Sequence, residues 1–223
     1  MVHIKGTKKE FEALADFILH DYLGDKYNSP CPLDIQKFAM DYLNMMIQYK
    51  AFPEKQRIAG ARCGNYIYLD RALSCPEHLG ARNFTIAHEC AHELINCQDD
   101  RYNRLQLVNC RSKDSHKQLV TDEDFCEWQA NVVASCLLMR PCLVDWTLYT
   151  FTCGKEKITV YGSIDYPCMY FSASEAMYNM ANFIGVSQTA LRIRMQELGL
   201  IEVRPYSEFN TLVPRPHSER RCR

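Results

Sequence analysis

Apolar positions along the chain repeat at two spacings, and the segments they define change between helix and strand. Phe11, Leu14, Ile18 and Tyr22 fall on one helical face; Thr7 and Glu10 ahead of them form a capping-box pattern, and Gly24 supplies a stop. Pro30 and Pro32 mark a turn, after which Ile35, Phe38, Ala39, Tyr42 and Leu43 repeat the helical spacing and Met45 to Phe52 turns strand-like. Arg57 to Ala61 and Tyr66 to Leu69, separated by Arg62-Cys63-Gly64-Asn65, predict a hairpin, so a small antiparallel sheet follows two helices.

The pattern from Ala81 to Asn96 is helical again and gives way to a polar, aperiodic stretch, 98–120, that predicts an exposed excursion. Asp122 to Met139 predicts a helix ended by Arg140-Pro141, and the β-branched and aromatic residues from Trp146 to Tyr170 predict one or two strands. Ser172 and Glu175 form a second capping-box pattern, opening a helix that runs to about Phe183. Gly185-Val186-Ser187 then turns the chain into a last helix ending near Gly199, and the tail from Pro214, rich in arginine, is expected to be disordered. The expected organisation is a core over residues 1–170, a helical hairpin over 171–203 packed on it, and a flexible tail over 204–223.

Composition narrows the function classes. With 223 residues and 47% hydrophobic content the chain can bury a substantial core, and 26 Lys+Arg against 27 Asp+Glu speak against a general binder of nucleic acid or membrane surfaces. The opening residues lack the apolar stretch of a secretory signal, and the longest apolar run, Val132 to Met139, is too short for a bilayer, so a cytosolic location is expected. Twelve cysteines are scattered from Cys31 to Cys222 without a Cys-x-x-Cys pair, and are expected to be reduced and mostly buried.

The strongest chemical signal is His88-Glu89-Cys90-Ala91-His92, a His-Glu-x-x-His motif within a segment that is helical on independent grounds. Residues at i and i+4 stand one above the other, so both imidazoles can reach one metal ion. Glu89 projects about 100° away from His88, which keeps it out of the ligand set yet near enough to act as a general base on water. A catalytic zinc needs a third protein ligand, for which Glu127 is the best candidate. Ala130 and Ala134 would let its helix approach closely, and Asn131, one turn on, is placed to hold a ligand imidazole by its second ring nitrogen. Cys90 and Cys126 offer a thiolate alternative but point away, about 160° from His92 and about 100° from Glu127 respectively. His78 and His116 fall in expected loops.

The stretch from Arg82 to His92, then Glu127-Trp128-Gln129-Ala130-Asn131, Leu137-Leu138-Met139-Arg140-Pro141 and the closing Gly185-Val186-Ser187 to Leu198-Gly199-Leu200, resembles the ImmA/IrrE family of metallo-endopeptidases over about residues 8 to 202. The resemblance implies an α+β, zincin-like core and a zinc site of His88, His92 and Glu127. It also implies Glu89 as catalytic acid/base, and a bacterial or mobile-element regulatory protease that cleaves a helix-turn-helix transcriptional repressor. Three departures from the family pattern stand out: Cys90-Ala91 between the histidines, Asn96 where a further His is common, and Arg140 before Pro141. None is a proposed ligand.

Ala181, Gly185, Val186 and Leu191 approximate a helix-turn-helix pattern, which raises a rival reading. In it the chain is a non-catalytic, zinc-containing regulator that binds DNA or a repressor through this hairpin. Arg192, Arg194 and Arg204 are balanced by Glu175, Glu197 and Glu202, so direct nucleic-acid binding is not expected. The donor for a tetrahedral oxyanion is left open among the tyrosines from Tyr149 to Tyr178.

Overall fold

Thr7 and Glu10 close the capping box that the sequence predicts, each side chain bonded to the other's backbone N–H, and the helix they start, α1, runs Lys8–Leu23 and stops at Gly24 with φ +52°. In the computed structural model, residues 7–53, 58–95, 121–163, 165 and 167–212 are described. The predicted polar excursion, Asn96, His116 and the arginine-rich tail from Pro214 lie outside these residues. A short α2, Ile35–Lys37, capped by Asp34, widens into a π-helical turn at Phe38–Tyr42.

Three strands follow: β1 Met46–Lys50, β2 Gly60–Cys63 and β3 Tyr66–Asp70, in the order β1-β3-β2. The hairpin is tighter than the sequence suggests. Cys63 pairs with Tyr66, so the turn is the two residues Gly64-Asn65, with Gly64 at φ +56°, and Arg62 belongs to the strand. The sheet is also mixed instead of antiparallel, because β1 runs parallel to β3. Strands β1 and β2 lie on opposite sides of β3, an order that strand spacing in the sequence does not record.

The central helix, α3, spans Leu79–Leu94 and is buried without interruption from Thr85 to His92. Helix α4, Asp122–Leu138, packs beside it, and starts with a capping box between Thr121 and Asp124. Pro141 then opens α5, Pro141–Phe151; from Trp146 on it occupies the start of the stretch expected to hold one or two strands, which form only later, at Ile158–Gly162 and Pro167–Cys168. The residue before proline is held extended, proline itself fits the first helical position, and Leu143, Val144, Thr147 and Leu148 bury one face at helical spacing. Helix position overrides β-propensity here.

A second sheet is built from β4 Ile158–Gly162, β5 Pro167–Cys168 and β6 Ile201–Arg204, with β6 parallel to β4. Between β5 and β6 lies the hairpin of α6, Phe171–Ile184, and α7, Gln188–Glu197. Ser187, at the end of the expected turn, caps α7 by accepting from the N–H of Ala190, but Ser172 caps nothing: α6 begins one residue before it, behind Tyr170. The segment after Arg204 is not wholly tail, since Tyr206–Leu212 forms α8 and its Phe209 ring sits 5.2 Å from Tyr161 and 5.1 Å from Tyr170. Among the described residues no single helix is long and apolar enough to cross a membrane. Their cysteines are free; Cys90, Cys126 and Cys136 are buried, but Cys31, Cys63, Cys75 and Cys153 are exposed, more than expected.

The hairpin is fastened to α3 at its turn. Asn83 Nδ2 donates to Gly185 O at 2.9 Å, and a methyl group on Gly80 would stand 2.6 Å from Val186 C and 2.7 Å from Ser187 N. Those atoms are main chain and cannot swing aside. Gly80→Ala is expected to lose a net ~1–2 kcal/mol, overpacking exceeding the gain in helix propensity. A urea melt with a lower midpoint and unchanged slope checks it; a more stable variant would mean the turn is not seated on α3.

Candidate metal centre

Residues four apart on α3 and one residue of α4 converge. His88, His92 and Glu127 place one ligand atom each within 4.8 Å of one another. The two Nε2 atoms stand 2.9 Å apart, and Glu127 oxygens lie 3.2 Å from His88 Nε2 and 3.4 Å from His92 Nε2. Ala130 and Ala134 are fully buried, so small residues do bring α4 against α3. The two histidine side chains are 0% and 9% exposed while that of Glu127 is 30% exposed, so the group opens to solvent on the Glu127 side.

Asn131 sits where the sequence places it, its Oδ1 3.0 Å from His88 Nδ1. An amide oxygen only accepts, so His88 carries its proton on Nδ1 and turns the lone pair of Nε2 inward. A ring-nitrogen lone pair facing a second imidazole at 2.9 Å, flanked by a carboxylate, suits a cation between them. Two imidazoles and one carboxylate also make the mixed nitrogen and oxygen donor set of a divalent transition metal. The group can therefore hold a metal ion.

The local field is strong. Burial alone would depress the His88 pKa, but the hydrogen bond that its protonated ring donates to Glu127 and the charges of Glu89 and Glu127 outweigh it and raise it. Glu127 shows the reverse: burial would raise its pKa, and the bonds to both imidazoles hold it well below the usual carboxylate range. Glu89 is 3% exposed, and its Oε1 has no hydrogen-bond partner among the described residues. Burial lifts its carboxyl above the ordinary range, against the pull of His88 and His92. A buried carboxyl with an open oxygen beside two imidazoles is equipped to take and return a proton.

The remaining candidates separate clearly. Cys90 and Cys126 are buried and lie outside the three-residue group, and His78 is exposed just before α3. Tyr161 and Tyr170 pack with Phe209, while Tyr149 and Tyr178 are exposed on α5 and α6. Sequence reasoning missed Arg62. It was placed in a turn, but the two-residue connection puts it on β2, where its guanidinium pairs with Glu93 on α3. The Gly64-Asn65 pair was the signal for that tighter turn.

Arg194, one of the two basic residues on which DNA reading by the hairpin would depend, is buried. It donates to Glu12 at 2.8 Å, to Glu197 at 3.2 Å and to the carbonyl of Met139 at 3.2 Å. Arg140, the departure before Pro141, is also buried and donates to the carbonyls of Ser29 and Cys31. It fastens the loop after α1 to the junction of α4 and α5. No model of a known protein family matches the chain, and no curated protein matches it at a significant level.

Proposed function

We propose that the chain is a zinc-dependent endopeptidase with a zincin-like core, of the ImmA/IrrE type, acting in the cytosol on a helix-turn-helix transcriptional repressor. One observation carries the reading: three ligand atoms converge beside a buried carboxyl whose Oε1 lacks a partner among the described residues. His88, His92 and Glu127 would hold the ion, and three protein ligands are the number that leaves a position open for chemistry. Zinc, when bound, polarises a carbonyl oxygen and makes water acidic near neutral pH.

The chain's own residues do the rest. Asn131 fixes the His88 ring in the tautomer that ligates. Glu89 accepts a proton from the attacking water as the carbon–oxygen bond forms, then delivers it to the leaving amine nitrogen as the carbon–nitrogen bond breaks. The burial of Arg194 in ion pairs with Glu12 and Glu197 supports this reading over a regulator that grips DNA with the hairpin.

The first test is elemental analysis of the purified chain and of Glu127→Ala after loosely held ions are removed. About one zinc per chain is expected in the wild type, with affinity falling by at least about tenfold to a hundredfold in the variant, the loss seen when even supporting residues of such sites are removed. A folded wild type that takes up no zinc would end the proposal. Incubation of the zinc-loaded chain with a partner repressor, read by mass spectrometry, then tests the substrate class.

A further inference from the structure

Helix α3 presents two working stripes. His88 and His92 face α4, fixed by Asn131 and Glu127. Ile86, Glu89, Cys90 and Glu93, at helical spacings of three and four, form the adjacent stripe. Arg62 meets that second stripe from β2: it pairs across the sheet with Ile67, which is fully buried, and its guanidinium binds the carboxylate of Glu93. Glu93 is one helical turn beyond Glu89.

We propose that Arg62 is a positioning residue for the hydrolysis just described: held by Glu93, it locks to β2 the stripe of α3 that carries Glu89. The proposal rests on the peptidase reading. One feature distinguishes the contact from an ordinary surface ion pair. The side chains are only 19% and 33% exposed, so solvent screens them less than a surface pair.

The experiment has two parts. Zinc-loaded wild type, Arg62→Ala, Arg62→Lys and Glu93→Gln are assayed on a peptide selected by mass spectrometry from a mixed library. Arg62→Ala should lower kcat about 10- to 100-fold, the scale of an ångström-sized misplacement, with KM nearly unchanged and zinc content intact. Arg62→Lys should recover part of kcat, and Glu93→Gln should fall between. Separately, urea midpoints of the metal-free wild type, Arg62→Ala, Glu93→Gln and the double variant are compared. Arg62→Ala should lower the midpoint less when Glu93 is already Gln. An unchanged kcat in an active background, or a loss that follows zinc content, overturns the proposal. Additive midpoints overturn it whether or not the wild type cleaves. A zinc-bound wild type that cleaves no peptide, with non-additive midpoints, places the failure in the peptidase reading instead.

Discussion

Glu89→Gln is expected to keep its zinc and its fold and to lose hydrolysis by about 10²–10⁴-fold, the usual contribution of a positioned general base. Glutamine has the shape of glutamate but cannot carry the proton from water to the leaving amine. The ligand atoms belong to His88, His92 and Glu127, so zinc content should match the wild type. Stability should not fall, because the substitution removes a carboxyl that burial disfavours in its charged form and leaves the packing of α3 in place. The loss should appear in kcat with little change in KM, since the proton transfer belongs to the transition state. A variant that cleaves as fast as the wild type would remove Glu89 from the mechanism, whatever the metal content.

Local rules worked where a side chain acts on its own backbone. Thr7 with Glu10, Ser187 as a cap and Gly185 with positive φ each end or begin a helix as their chemistry requires. The same rules failed at Ser172, because capping depends on where the helix starts and Tyr170 sets that start by packing with Tyr161 and Phe209. They failed again after Pro141, where burial of one face decided for helix. The parallel pairing of β1 with β3, and of β6 with β4, is set by where the chain crosses over, which no short window contains.

The candidate site was largely legible for a geometric reason. His88 and His92 on one stripe, and Glu127 with Asn131 one turn apart, need only two helices in contact, and the alanines at 130 and 134 indicated that contact. Arg62 was not legible, because its role depends on a turn length and on which edge of the sheet faces α3. The buried contacts of Arg140 and Arg194 were hidden for a similar reason: their partners lie 111 and 182 residues away along the chain. A charged residue within an apolar stretch shows that a partner is needed, not where it is.

Arg194→Ala is expected to cost about 2–4 kcal/mol of stability, toward the lower part of what breaking a buried ion pair costs, because its carboxylate partners are part-exposed and regain water. The side chain joins three elements: Glu12 on α1, Glu197 on α7 and the carbonyl of Met139 at the end of α4. Helix α4 carries Glu127, so the loosened end lies on a ligand-bearing helix. Zinc binds the native chain in preference to the unfolded one, so saturating zinc should return part of the lost stability by mass action. Urea melts with and without zinc measure both effects. The outcome also bears on the rival reading of the hairpin. If Arg194 contacts DNA, its removal should weaken salt-sensitive DNA binding and leave the melt near that of the wild type. If it is the buried tie seen here, the melt should move and any DNA binding should not, because a guanidinium bonded to two carboxylates has no charge to offer a phosphate.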